Sequence, residues 1–276
     1  MKHEFTVAGP IRVQATLRAT DLVVAEGAAD TVTVLLESSR DASDRGAFVA
    51  STVVELVGGV LHLEAPLPRF FSRERTRIRV TLPPGSEIDV GTGSGDITCT
   101  VPLSRAVVRS GSGDIHLVEV GDLEAVTGSG DVRVTTVGRG RAQTGSGDIW
   151  AGAVRDSLVT RTGSGDVTVA STGRLQSTSG SGDITVDELH GQARLRTASG
   201  DAHVARAVSG HLDVKSTSGD VRVGVAQGTA VLLDCSTVSG QMRSALRSTG
   251  EPEPGEETLE LVARTISGNL LVDRAG

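Results

Sequence analysis

Eight aspartates, Asp96, Asp114, Asp131, Asp148, Asp166, Asp183, Asp201 and Asp220, recur at intervals of 17 to 19 residues, most closing a phrase of the type Thr-Gly-Ser-Gly-Asp. Carboxylates at constant spacing suggest one chemistry first, the holding of a hard cation such as calcium by converging oxygens. Calcium-binding nonapeptide solenoids use such a row, with the pattern G-G-x-G-x-D-x-U-x. The pattern here differs, because Asp follows Gly directly and each coil carries one phrase rather than two. Where the phrase degenerates, Gln241 and Asn269 take the Asp position. An amide keeps the carbonyl that caps a turn and loses the charge that a hard cation needs. The row therefore reads as a structural ladder, with no metal and no cofactor implied.

Other reactive combinations are weaker. "GTGSGD" resembles a phosphate-cradling glycine loop, but no helix follows to present its N-terminus. The repeated Ser lacks the strand–turn–helix setting of a nucleophile elbow. Six histidines are scattered, and no acid–base set clusters, so an enzyme is not expected. Cys99 and Cys235 have no metal or redox spacing and read as reduced, buried thiols. "RFFSRERTR" (69–77) is the one place where aromatics and arginines coincide. Arg69, Phe70, Phe71, Arg73 and Arg75 are candidates for docking a partner or for plugging the end of the core. Trp150, the only Trp, falls at an outward position and is a further contact candidate.

The ladder needs elements that stack. One and three residues after each Asp come apolar pairs such as Ile97/Cys99, Val132/Val134 and Val167/Val169. This alternation is the mark of a strand with one buried face. A second strand precedes each phrase, with Ile88, Leu123, Leu158, Leu175 or Leu212 eight residues before the Asp and always Thr or Ser four before it. A period of about 17–18 residues is too short for a helical hairpin or a propeller blade and suits one coil of a β-solenoid. The pattern predicts an all-β, single-stranded parallel solenoid, right-handed on the general preference of parallel crossovers. Between the two strands of successive coils a variable remainder is expected to loop. The glycines are expected to supply backbone angles that other residues resist, and the Asp to cap its own corner. Stacked like charges about 4.8 Å apart repel by roughly 1 kcal/mol per neighbour in water. Basic residues five before the Asp (Arg109, Arg161, Arg196, Lys215, Arg264) are candidates to offset that repulsion.

The chain of 276 residues has 35 Gly and only 2% aromatics, so turns are many and the core is aliphatic. A net charge of −7 argues against nucleic-acid binding. No apolar stretch approaches a membrane span, the N-terminus lacks a signal-peptide core, and the expected location is cytoplasmic. Residues 1–80 alternate without the phrase and are expected to form an all-β capping section. Residues 81–276 are expected to carry the coils, with an acidic Pro-rich loop at 248–257, the whole forming a single domain.

The segment "VTLPPGSEIDVGTGSGDITC", the serial "TGSGDI/V" phrases and the closing "TLELVARTISGNLLV" resemble the bacterial β-strand-repeat family catalogued as "putative adhesins" and also called the Toastrack domain. The resemblance spans essentially the whole chain. It implies a single β-solenoid domain of unknown function, and relatives attached to membrane segments in envelope-stress systems act as assembly platforms. The expected function is a non-catalytic scaffold with an unidentified protein partner and no small-molecule substrate. The alternatives are an exported adhesin or glycan binder, which the shortage of aromatics disfavours, and a β-helical polysaccharide-acting enzyme.

Overall fold

The computed structural model describes residues 1–38, 51–65, 76–246 and 255–275. The described residues form an all-β solenoid of mostly parallel strands. The chain divides into two compact units, Met1–Thr135 and Thr136–Gly276.

In the second unit three successive coils are each built from one long strand. β13 (Ile149–Thr162), β14 (Val167–Ser179) and β15 (Ile184–Thr197) run from just after one Asp to the hydroxyl residue before the next. They stack parallel, with Ile149 beside Val167 beside Ile184 and Thr162 beside Ser179 beside Thr197. The variable remainder is not a loop. It is a register irregularity inside a continuous strand, between Val154 and Leu158 and again between Thr172 and Arg174. The chain bends there while its neighbours still satisfy the backbone N–H and C=O groups.

Inward residues meet across a narrow interior. Ile149, Val167 and Ile184 form one column, and Leu158, Leu175 and Ala193 form another, all at most 3% exposed. Each fully buried Val, Leu or Ile contributes about 1.5–3 kcal/mol. The side chains of this core are small and aliphatic, which accounts for the aromatic-poor composition. Among the buried hydroxyls, Thr160 donates to Ser177 in the next coil at 2.8 Å.

Stacking order departs from chain order. β17 (Gly210–Ser218) and β18 (Val221–Val225) make the coil that ends on Asp220 and continues past it. The coil stacked on it is the last in the sequence, β21 (Glu257–Ser267) with β22 (Leu270–Arg274). The earlier β19 (Thr229–Ser239) and β20 (Met242–Ser244) stack on the far side of that coil. Both coils carry the same inward pattern, so periodicity alone could not rank them.

The first unit shows a similar exchange. β8 (Ser86–Thr92) and β9 (Ile97–Cys99) pair on one side with β10 (Leu103–Ser110) and β11 (Ile115–Thr127). On the other side lie β2 (Arg12–Thr16) and β3 (Thr20–Glu26), in register with Val13 beside Ile88 and Leu22 beside Ile97. Residues 12–26 are therefore a coil that has lost the glycine phrase. Beyond it stack β6 (Val60–Glu64) and β7 (Thr76–Leu82). That coil carries antiparallel strands on both of its sheets, β5 (Val53–Val57) on β6 and β4 (Thr31–Ser38) on β7, with β1 (Lys2–Thr6) outside β4. Gly58 and Gly59 close the β5–β6 hairpin with φ of 59° and 80°, the left-handed region that favours glycine.

Candidate functional site

The Asp ladder occupies the tight corner of each coil, and its hydrogen bonds run along the stack. Asp183 N–H donates to Oδ1 of Asp166 at 2.8 Å, Asp201 to Asp183 at 2.7 Å and Asp220 to Asp201 at 2.8 Å. In the first unit Asp131 donates to Asp114 at 2.9 Å and Asp114 to Asp96 at 3.0 Å. Each of these carboxylates thus caps the next coil rather than its own corner. Parallel stacking is the reason, because it sets the Oδ1 of one coil beneath the N–H of the next. The row continues through the exchanged coils, with Asn269 N–H on Asp220 at 2.8 Å and Gln241 N–H on the Asn269 side-chain oxygen at 3.0 Å. It also reaches Asp21, which accepts from Asp96 at 3.2 Å and is paired with Arg77 at 3.5 Å. No glycine phrase precedes Asp21, so the sequence does not mark it as a ladder member.

The hydroxyl row locks the same corner. Ser179 Oγ accepts from Gly182 N–H at 2.9 Å within its coil and donates to Gly165 C=O of the preceding coil at 3.3 Å. Thr197 repeats both bonds, to Gly200 at 3.0 Å and Gly182 at 3.1 Å. At the Asp corners of these coils the glycines are needed for close approach rather than for positive φ, which among the corner glycines before the ladder residues is found at Gly240 and Gly268. A Cβ on Gly165 would lie 1.8 Å from the backbone oxygen of Gly147, and one on Gly200 would lie 2.2 Å from that of Gly182. The ladder is thus a structural device with most of its polar atoms committed. Among the described residues no group of three or more His, Cys, Asp or Glu side chains is arranged to hold a metal ion.

The basic residues five before the Asp do not neutralise it. Three of them pair with other acids on the strand face, Arg109 with Glu124 at 2.8 Å and Asp89 at 3.7 Å, Lys215 with Asp213 at 3.7 Å, and Arg264 with Asp234 at 3.0 Å. In the second unit they line up into a row across neighbouring strands: Arg161, Thr178, Arg196, Lys215, Arg264. Beside it runs a second row of Gln176, Arg194, Asp213 and Val262. Arg194 reaches Asp213 at 3.4 Å. Arg161 and Arg196 are exposed and make no ion pair among the described residues. On the far side of the corner, Glu188 contacts Arg206 at 2.5 Å and His190 at 3.1 Å. The hydrogen bond from His190, helped by the Arg206 charge, holds the Glu188 carboxyl below its ordinary range.

The other sequence candidates are placed unevenly. Arg69, Phe70, Phe71, Arg73 and Arg75 lie outside the described residues, as does most of the acidic segment 248–257. Trp150 is half-buried on the outer face beside Thr168 of the next coil. Cys99 is buried, and burial pushes its thiol up to about 12. In the first unit a groove of about 430 Å³ lies over Gly91, edged by Gln14, His62, Asp89 and Arg109. It exists because Gly91 places no side chain between Thr16 and Arg109 in its row.

The molecule thus combines a repeating corner, parallel stacked coils and an exchanged last coil. The sequence pattern described as Toastrack DUF4097 matches residues 16–272. The chain belongs to the Toastrack family. Among solved structures, this Toastrack chain is similar to a "putative adhesin" from Bacteroides fragilis, at 13% identity and a TM-score of 0.42 over 99% of this chain and 96% of that one. A "putative lipid binding protein" from Parabacteroides distasonis matches at 14% identity and a TM-score of 0.39, over 100% and 96%. A "putative adhesin" from the same organism matches at 12% and 0.36, over 99% and 96%. No curated protein matches the chain.

Proposed function

We propose that this Toastrack chain is a non-catalytic scaffold whose second unit docks a protein partner along the outward strand face. The observation that supports the reading is the row Arg161, Arg196, Lys215 and Arg264 on stacked strands of a rigid sheet. Strand neighbours lie about 4.8 Å apart, so the cations stand at fixed spacings without any folding on binding. Asp213 and Asp234 stand in the row beside the basic one, and Glu260 in the row beyond. That mosaic of signs suits a protein surface with complementary acids better than a polyphosphate, which rewards continuous positive charge. The corner ladder keeps the platform rigid.

Affinity capture from a native lysate, followed by cross-linking, tests the reading. Arg161→Glu/Arg196→Glu should lose the captured partner without altering thermal stability, because neither side chain makes an ion pair among the described residues. Undiminished capture by the double variant, or cross-links confined to other faces, would count against it.

A further inference from the structure

β19 and β20 form the outermost described coil of the second unit, and no described strand pairs with their outer edge. The outermost coil of the first unit carries antiparallel strands on both sheets, so there the parallel stack ends against a cover. An open edge is a row of backbone donors and acceptors that another strand can extend, and natural edges are usually blunted by Lys, Pro or a bulge. β19 reads TAVLLDCSTVS, with no Lys or Pro. Its single charge, Asp234, is paired with Arg264. Its outward row instead shows Leu232 at 68% and Val238 at 82% exposure, and Ile266 beside Val238 on β21 is 55% exposed.

We infer that this edge pairs with the same edge of a second copy, antiparallel and two-fold symmetric, with Cys235 facing Cys235 of the other chain. The register follows from the charges and the apolar residues. Centring the pair on Asp234 would face two like charges, which is destabilising on directly opposed strand positions. Centring it on Ser236 would set Asp234 against Val238. Centring it on Cys235 sets Leu232 against Val238 and Asp234 against Ser236, in both halves of the symmetric pair. One rung then reads Ile266, Val238 and Leu232 of the second copy, three exposed apolar side chains that cover one another. The axis is isologous, so assembly stops at two chains and does not run on as a fibre. The inference concerns the end of the stack and does not depend on the docking face.

Sedimentation velocity on the full chain between about 1 and 100 µM, a span that brackets ordinary weak self-association, reads the outcome. Wild type should pass from monomer to dimer, and Val238→Lys should raise the dissociation constant at least tenfold. Val57→Lys, at an exposed apolar position of β5 in the first unit, and Arg161→Glu/Arg196→Glu should leave it unchanged. A short bis-maleimide should join two chains through Cys235, and Cys235→Ser should abolish the product. A wild-type monomer at every concentration, or cross-linking that survives Val238→Lys, overturns the inference and leaves the edge to a strand from another protein.

Discussion

Replacing Gly182 by Ala puts the close-approach account of the corner to a quantitative test. The added Cβ would sit 1.9 Å from the backbone oxygen of Gly165 and 2.4 Å from its carbonyl carbon. Both atoms are backbone, so no side chain can swing aside. Reaching 3.0 Å, the closest approach that real Cβ atoms show, requires the two corners to part by about 1.1 Å. Asp183 N–H now lies 2.8 Å from Asp166 Oδ1, and Ser181 N–H lies 3.1 Å from Gly163 O. Parting stretches these to about 3.9 and 4.2 Å, beyond hydrogen-bonding range. One bond to a carboxylate (about 1.5–3 kcal/mol) and one backbone bond (about 0.5–1.5) are then lost. Urea unfolding at constant m should show a loss of about 2–4 kcal/mol. Two controls separate the causes. Ser181→Ala, one residue away and exposed, should cost less than about 0.5 kcal/mol. Gly59→Ala has open space around its Cβ and φ of 80°, so it should cost only the left-handed strain of about 1–2 kcal/mol. A Gly182→Ala protein within 1 kcal/mol of wild type, on the scale of the exposed-site control, would refute the account.

Three further outcomes follow from the same geometry. Asp183→Asn should be nearly neutral by thermal melt, since Asn269 already carries the row onward, while Asp183→Ala should cost about 1–3 kcal/mol by stranding the Asp201 N–H; millimolar calcium should leave the wild-type melting temperature unchanged. Thr172 Oγ1 is buried without a partner among the described residues, and its column neighbours are Val154 and Leu189, so Thr172→Val should stabilise the chain by about 1 kcal/mol in urea melts. Burial holds the Cys99 thiol near 12, so it stays protonated until well above pH 8, whereas Cys235 is only half-buried; mass spectrometry of dilute native protein alkylated at pH 8 should find Cys235 modified first, and equal rates would contradict the burial of Cys99.

Local pattern was enough to determine the coil and its register. Alternation at Val167/Val169 and Leu175/Ser177 marks the inward faces, and the recurring Thr-Gly-Ser-Gly-Asp marks where each coil turns, because strand period and turn-type residues are both read within a few positions. The reason for each corner residue was not local. Gly182 and Asp183 act on atoms of the coil before and the coil after, 17 to 18 residues away in the chain, so only the stack reveals that the glycine admits a carbonyl and the carboxylate caps a neighbour. The order of the coils was not legible either. β19 and β21 present the same inward pattern, and Val13 and Leu22 fit beneath Ile88 and Ile97 without any glycine phrase. Equivalent strands compete for the same edge, and the winner is settled by packing among all of them. The basic residues were legible as a series five before the Asp, but only the stack, with parallel strands about 4.8 Å apart, decided that Arg109, Lys215 and Arg264 pair with acids of the strand face rather than with the ladder.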